Sequence, residues 1–184
     1  LYGLLLLFVL AYSLFPSLLK EPSVPVGLLM LLAFGTAVYS AFLFGQAKGR
    51  DLWQTPLLPL HLLVHAIVAG AGALILLSEF MTNLQVLIPI LERTLAAGLA
   101  ASILTLGAEF LSQHQTVNAE KAIELITAGP FRTKFWLIVF FLGHLFPAIL
   151  LMFQLPAIAA LLALIGSAVF EDLFVEAGQA IPLA

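Results

Sequence analysis

Apolar stretches long enough to cross a membrane recur along the whole chain. The segments 57–78 and 87–111 each exceed the ~20 residues that a helix needs to span the hydrocarbon core. Only helices and closed β-barrels cross that core, because every backbone polar group there must be paired. Barrel strands would alternate apolar and polar residues, and runs such as 74–77 do not. The sequence therefore predicts an all-α protein, a polytopic bundle of transmembrane helices.

The composition agrees with a membrane protein and excludes several other classes. With 62% hydrophobic and 9% charged residues and a mean hydropathy of +1.15, the chain has too few charges to solvate a globular surface. A net charge of −3 without a basic run argues against nucleic acid as a partner. Because the chain has no cysteine, it can hold neither a disulfide nor a thiolate-ligated iron–sulfur cluster. We therefore expect any such cluster to belong to another subunit.

Six apolar segments have the character of membrane spans. Their predicted limits are 1–15, 26–46, 57–78, 87–111, 135–153 and 157–175. Prolines stand at or just before the starts of several of these segments, where a missing amide donor does least harm. We predict a single integral-membrane domain over residues 1–184. Because the chain opens on Leu1 inside an apolar run, without an initiator methionine, we expect it to be a fragment that lacks its beginning.

The longest connection, residues 112–134, is predicted to be an interfacial loop that contains a short amphipathic helix. Asn118 is the expected N-cap, Ile123 and Ile126 share one face, and Gly129 is part of the stop signal. We expect this helix to lie on the membrane surface.

Ionisable and hydrogen-bonding side chains concentrate in one half of the predicted bundle. We call the face reached after the second, fourth and sixth spans side B, and the opposite face side A. At 1.5 Å per residue, the residues in the side-B half are Tyr39, His61, His65, Glu109, His144, Glu171 and Asp172, whereas Glu79, Glu92 and Arg93 go to side A. Ionisable groups inside a membrane are costly and usually face the bundle interior, so this convergence predicts a functional site.

Helical spacing predicts which faces point inward. His61 and His65 are four residues apart and share a face that continues through Ala69 and Gly72. Two further stripes of small and polar residues are Gly98, Ser102, Thr105 and Glu109 on the fourth span, and Gly35, Tyr39 and Gln46 on the second. Three helices are therefore expected to offer polar interior faces.

These residue types suit a quinone. Tyr39, His61 and His65 could hydrogen-bond the carbonyl or hydroxyl oxygens of the ring. Glu109, His144 and Glu171 could carry the protons that accompany its two-electron chemistry. We therefore predict quinone binding by the first group and proton transfer by the second.

Other interpretations of the same residues remain open. His65 and His144 lie at matching depth on different helices, as two axial ligands of a haem b would. A polar half-cavity could instead hold an ion or solute, as in a transporter. The histidines could also be structural hydrogen-bonding groups, and Glu171 with Asp172 the solvated end of the last helix.

Three groups of residues follow a recognisable order. A tyrosine-bearing helix leads through a basic loop into a tryptophan and paired prolines, with Tyr39, Lys48, Arg50, Asp51, Trp53, Thr55, Pro56, Leu57, Leu58 and Pro59. The second group is Ala122, Leu125, Gly129, Phe135, Trp136, Gly143 and Pro147, and the third is Gly166, Ala177, Gly178 and Gln179. From about residue 26 onward, this order and spacing resembles the NrfD-like membrane subunits of polysulfide reductases.

The resemblance implies an eight-helix quinone-interacting anchor, of which this chain would be the C-terminal six helices. It implies a quinone, menaquinone or ubiquinone, as the bound cofactor, and no metal bound by this chain. It also implies a four-cluster iron–sulfur subunit and a molybdopterin catalytic subunit as partners, in surrounding membrane lipid. Tyr39 matches the tyrosine at the family's quinone site. His61 and His65 depart from the family pattern, and Glu171 with Asp172 replaces its usual basic residue.

The distribution of cations bears on docking and topology. Side B carries Lys48, Arg50, Lys121, Arg132 and Lys134, against Lys20 and Arg93 on side A. We expect Lys48, Arg50, Arg132 and Lys134 to dock the iron–sulfur partner. The positive-inside rule would make side B cytoplasmic, whereas relatives with exported catalytic subunits would place it outside. We expect a multi-pass protein of the prokaryotic cytoplasmic (inner) membrane with its docking face outside, because charge at a docking surface need not report topology.

Overall fold

The computed structural model of the chain describes residues 23–111 and 116–181, with side chains from residue 26 onward. All regular structure in these residues is helical and none is strand, which confirms the predicted all-α bundle. The helices are α1 (Ser23–Phe44), α2 (Leu58–Ser78), α3 (Ile88–Leu111), α4 (Val117–Thr127), α5 (Lys134–Met152) and α6 (Pro156–Ala180). Short 3₁₀ segments at Asp51–Gln54 and Thr82–Leu87 lead into α2 and α3.

Five of these helices, all except α4, are long and apolar enough to cross a membrane. They correspond to the second to sixth predicted spans, and most of their limits agree with the prediction to within a few residues. The first predicted span, residues 1–15, lies outside the described residues. The chain is thus a multi-pass membrane protein.

The last helix continues to Ala180, about one turn past its predicted end at residue 175. The final carbonyls of a helix need donors from outside the helix, and Arg50 supplies them. Its Nη1 donates to the carbonyl oxygens of Gly178, Gln179 and Ile181, at 3.3, 2.9 and 2.7 Å. The indole ring of Trp53 packs directly on Gly178, where a β-carbon would collide with it. The loop between α1 and α2 therefore fixes the side-B end of α6.

Helix α4 begins at a different cap from the predicted one. Thr116, in extended conformation, accepts a hydrogen bond from the backbone N–H of Ala119 at 3.2 Å, so the prediction of Asn118 as the N-cap is wrong. Both residue types can cap, but only the residue in extended backbone just before the helix can aim its oxygen at the free N–H groups. Ile123 and Ile126 share a buried face, as predicted, which packs with Leu173 and other core residues at the side-B end of the bundle. Contacts within the protein thus bury the apolar face of this amphipathic helix.

Helix α5 changes its hydrogen-bonding pattern along its length. Lys134–Leu145 is π-helical and Phe146–Met152 is α-helical. Pro147 lies just after the change, and in a regular α-helix its ring would clash with the carbonyl of Gly143. In a π turn the hydrogen bonds join residues five apart instead of four, so the segment before Pro147 does not follow the α-helical pattern. π-helical runs of this length are rare, whereas single π turns within α-helices are frequent at functional sites.

Glycines let the helices approach closely around the bundle interior. The backbones of Gly143 and Gly166 meet directly, with no space for a side chain on either. A β-carbon on Gly98 would lie 2.8 Å from Val68 Cγ2, so α2 and α3 are also tightly packed. The close crossing of α5 and α6 brings His144 into the centre of the bundle, where it is completely buried.

Two apolar clusters form the core, at different levels along the helices. One includes Leu58, Leu106 and Phe170, and the other includes Val68, Leu99 and Ala163. Buried polar residues lie between the two clusters: His61 and His65 on α2, Ser102 and Thr105 on α3, and Ser167 on α6. The bundle therefore contains a buried polar layer between two oily layers.

Candidate functional site

Four buried side chains from three helices form the centre of the polar layer. His61 and His65 come from α2, Ser102 from α3 and His144 from α5, and none is more than 3% exposed. The ring centroids of His61 and His65 are 6.3 Å apart, as are those of His65 and His144. We call these four residues the histidine cluster. The structure thus brings the three predicted histidines together at one level.

Ser102 bridges the two histidines that lie on different helices. Its Oγ is 2.7 Å from Nε2 of His144 and 3.4 Å from Nε2 of His65. Nδ1 of His144 lies 2.8 Å from the carbonyl oxygen of Val139. Because a carbonyl only accepts, Nδ1 carries the hydrogen, and in the neutral ring Nε2 accepts from the Ser102 hydroxyl.

Glu171 connects the cluster to the protein surface. Its Oε1 lies 3.4 Å from Nδ1 of His65, and its side chain is 56% exposed whereas that of His65 is 3% exposed. Glu171 is therefore more than the solvated end of the last helix: it places a carboxylate between the buried imidazole and the outside.

His61 is buried without a hydrogen-bond partner. Neither of its ring nitrogens is paired with any group in the described part of the chain. Its ring stacks on Phe170, with centroids 5.8 Å apart and an interplanar angle of 27°. Buried polar groups are normally hydrogen-bonded, so His61 retains hydrogen-bonding capacity that the described residues do not use.

A small cleft of about 60 Å³ opens beside His61. Its polar lining consists of His61, His65 and Glu171, and Phe170 and Phe174 contribute aromatic faces. The rest of the lining is also apolar. The cleft thus combines unpaired hydrogen-bonding groups with the aromatic surface that a flat ring would contact.

Glu109 is buried nearby on α3. It is 2% exposed, and its Oε2 accepts a hydrogen bond of 2.8 Å from the hydroxyl of Thr55. All four members of the predicted α3 stripe, Gly98, Ser102, Thr105 and Glu109, are buried, as the spacing predicted. Glu109 lies seven residues from Ser102, or ~10 Å along the helix axis, toward side B. Its proton-transfer role stays a prediction.

Tyr39 is half exposed, at 50%. Gln46 is exposed as well, so the described residues do not cover the polar face predicted from Gly35, Tyr39 and Gln46, of which only Gly35 is partly buried. The reason is that α1 packs on one side against α2 and leaves most of its remaining surface uncovered by the described residues. Tyr39 does not line the cleft beside His61, and its role as a quinone ligand stays a prediction.

The predicted docking residues divide into two kinds. Lys48, Arg132 and Lys134 are exposed. Arg50 instead binds the carbonyls at the end of α6. A docking role for Arg50 stays a prediction, but this contact gives its guanidinium a structural role.

The geometry argues against the haem alternative. Two axial histidines must both bond one iron atom directly, whereas the Ser102 oxygen stands between Nε2 of His65 and Nε2 of His144. This arrangement suits hydrogen bonding and proton transfer between the rings.

Three contributing residues escaped the sequence reasoning. Ser102 was recognised as part of an inward stripe, but not as a bridge between histidines. No role for Phe170 follows from the sequence pattern, and Thr55 enters only within the family-like segment. The position of Phe170 next to Glu171, at the level of the histidines, is the signal that could have identified it.

One comparison with known proteins finds a relationship. A family model described as "Polysulphide reductase, NrfD" matches residues 8–182 of the chain. Comparisons with curated proteins and with solved structures give no match.

Proposed function

Because the chain belongs to the polysulphide reductase NrfD family, whose members are membrane subunits of quinone-linked oxidoreductases, we propose that it binds quinone and quinol within the membrane. In this proposal the chain exchanges electrons between the membrane quinone pool and an iron–sulfur partner subunit. The family generally assembles with catalytic and iron–sulfur subunits. Here the catalytic partner is proposed to carry a molybdopterin.

The unpaired imidazole of His61 carries this proposal. Both of its nitrogens are buried and without a partner among the described residues, and they lie at a cleft that also contains His65. A neutral imidazole offers one donor and one acceptor, so His61 can pair with either a quinone carbonyl or a quinol hydroxyl. The stacked ring of Phe170 provides an apolar wall for the same ligand.

The polar groups of the cleft suit a quinone, but the cleft is small for such a ligand. Its volume of about 60 Å³ is well below the roughly 300–1,000 Å³ of typical small-molecule pockets. In this proposal a quinone ring enters when other aromatic side chains of the lining, such as Phe174, rotate away, while Phe170 stays stacked on His61. When bound, a quinone supplies two-electron chemistry coupled to two protons. The chain supplies the hydrogen bonds of His61 and His65 and, through Glu171, a carboxylate that exchanges protons with the outside.

Side B is proposed to be the face that docks the iron–sulfur partner. The cleft lies in the side-B half of the bundle, and the exposed cations Lys48, Arg132 and Lys134 lie at the same end. Electron transfer slows steeply with distance, so a quinone site near the docking face favours transfer to the partner's nearest cluster. We propose that this face lies outside the prokaryotic cytoplasmic membrane.

The test replaces His61 with phenylalanine in the assembled complex. His61→Phe removes both nitrogens while keeping a flat ring against Phe170. Because the imidazole has no partner in the described structure, its loss should not harm assembly. Quinol-dependent turnover should fall by roughly a hundredfold, while activity of the catalytic subunit with an artificial electron donor stays unchanged. Binding of a quinone analogue should weaken in parallel.

Ile75→Val on the same helix is the matched control. Ile75 is buried in the second apolar cluster, so this change disturbs α2 by about 1 kcal/mol without touching the cleft. Quinol-dependent turnover should stay normal. If His61→Phe keeps quinol turnover and quinone-analogue binding at wild-type levels, the proposed site is refuted.

A further inference from the structure

We propose that Ser102 is the proton-transfer link of a relay that runs from Glu171 through His65 to His144. Its four groups follow one another in space, from an exposed carboxylate to a fully buried imidazole. The successive separations are 3.4 Å, 3.4 Å and 2.7 Å. Ser102 is the only one of these four groups that is not titratable. It is also the group that joins α2 to α5.

The hydrogen positions follow from the far end of the relay. The Val139 carbonyl fixes the hydrogen of His144 on Nδ1, so Nε2 of His144 accepts from the Ser102 hydroxyl. The Ser102 oxygen can then accept from Nε2–H of His65. Nδ1 of His65 is left as the acceptor that faces the Glu171 carboxyl group. Each link is therefore oriented to pass a proton inward.

The transfer is balanced in protons. A proton on the Glu171 carboxyl group moves to Nδ1 of His65, while the Nε2 proton of His65 moves to Ser102 Oγ. The original hydroxyl proton of Ser102 moves to Nε2 of His144. The result is a carboxylate at Glu171, neutral His65 with its hydrogen on Nδ1, an intact hydroxyl and an imidazolium at His144. No bond other than O–H and N–H bonds forms or breaks.

The relay ends at His144 because the hydrogen on Nδ1 is bound to a backbone carbonyl, which cannot carry it further. His144 therefore acts as an internal proton store. The reverse sequence returns the proton to Glu171 and the outside. Only the use of this store during quinol oxidation, with electrons passing to the partner's iron–sulfur cluster, rests on the proposed function; the relay itself does not.

Other titratable groups surround the relay and must be accounted for. From α2, His61 faces His65 with a ring separation of 6.3 Å. From α3, Glu109 lies nearer side B and is bonded to Thr55. Helix α6 also carries Asp172, exposed beside Glu171.

The test follows a proton inside the protein rather than turnover. The complete complex in lipid nanodiscs receives a light-triggered proton pulse, and time-resolved infrared spectroscopy follows the imidazolium bands. Isotope-labelled histidine and loss of the band in His144→Gln assign the signal to His144. In the wild type, protonation of His144 should follow the pulse. Absence of any His144 signal in the wild type would overturn the relay.

Ser102→Ala removes the bridging oxygen and should slow proton arrival at His144 by roughly a hundredfold. Ser102→Thr keeps a hydroxyl and should retain most of the rate. Thr105→Val is the matched control, because it removes another buried hydroxyl from the same helix, one that donates to a backbone carbonyl. Equal rates in Ser102→Ala and wild type, or equal slowing in Thr105→Val, would contradict a relay through Ser102.

Glu171→Gln tests the outer end with a residue that is exposed and therefore tolerant of change. It should slow proton arrival at His144, while Asp172→Asn, which removes the neighbouring exposed acid, should not. Equal effects of the two variants would show a general effect of surface charge and reject the relay.

The two proposals fail separately. Loss of quinone-analogue binding in His61→Phe is the readout for the site at His61, whereas slower proton arrival at His144 in Ser102→Ala is the readout for the relay. A complex that binds no quinone but shows Ser102-dependent protonation of His144 would keep the relay and refute the proposed function. A complex that binds quinone, but in which protonation of His144 does not depend on Ser102, would keep the proposed function and refute the relay.

Discussion

Buried polar residues are costly in a membrane unless they are paired, and this chain pairs most of those in its interior. Ser102 satisfies His144, and Thr55 satisfies one oxygen of Glu109. His61 is the exception among the described histidines. The contrast distinguishes residues whose polar groups are paired within the fold from His61, where we propose that a ligand binds.

Thr55 should contribute to stability through Glu109. Its hydroxyl donates to the buried carboxyl group at 2.8 Å, and its oxygen also accepts from the backbone N–H of Leu57 at 3.3 Å. Thr55→Val should therefore destabilise the protein by about 1–2 kcal/mol, seen as a lower melting temperature in detergent. Thr55→Ser keeps both hydrogen bonds and should melt close to the wild type. Equal melting temperatures of the two variants would mean that the hydroxyl does not contribute to stability.

Part of the site could be predicted from helical spacing. Four-residue spacing correctly put His61 and His65 on one buried face, and the α3 stripe through Ser102 was also predicted correctly. Which side chains touch across helices depends on helix rotation and crossing, which a single sequence does not encode locally. The bridge from Ser102 to His144 could not be predicted for that reason.

Helix limits were more predictable than helix geometry. Apolar runs predicted six spans, and the five that fall in the described residues are helices of spanning length, but nothing in the pattern signalled that Lys134–Leu145 would be π-helical. The later end of α6 depends on Arg50, which lies more than a hundred residues earlier in the sequence. Local signals thus locate an element, while its ends and internal form respond to distant contacts.

The contact between α5 and α6 should depend on two glycines. A β-carbon on Gly166 would collide with the backbone of Gly143, and backbone cannot move aside as a flexible side chain can. Gly166→Ala should therefore force the helices apart and cost about 1–3 kcal/mol or more, measured as a lower melting temperature of the purified complex. The change should also disturb His144, which follows Gly143 on α5.

Gly107→Ala is the control for this prediction. A β-carbon at Gly107 meets nothing within 4 Å, so the substitution adds helix propensity without a clash. It should be neutral or stabilise by about 0.4–1 kcal/mol. Comparable destabilisation by both substitutions would mean that the close contact between α5 and α6 is not what limits stability.

At the scale of the whole molecule, polar chemistry is concentrated toward one face. Contacts at side B join distant parts of the chain: Thr55 meets Glu109, and Arg50 meets the end of α6. These contacts place the loop between α1 and α2 beside the ends of α3 and α6, as alternating spans require. The sequence predicted this concentration of polar residues toward side B because successive helices alternate in direction. The lengths of the apolar segments were sufficient to define that alternation.

The exposed cations of side B should determine how tightly the partner binds. Lys48→Glu, Arg132→Glu and Lys134→Glu together reverse the charge of this face without altering the buried layer. Co-purification of the iron–sulfur subunit should fall at least roughly tenfold and show a weaker dependence on salt, because charge pairs across an interface are screened by ions. Arg50 is left unchanged, since its loss would release the end of α6.

Arg93→Glu on side A is the control, because Arg93 is exposed at the opposite end and should not affect partner binding. Full partner binding by the triple variant, combined with an inverted orientation in the membrane, would instead assign these charges to topology.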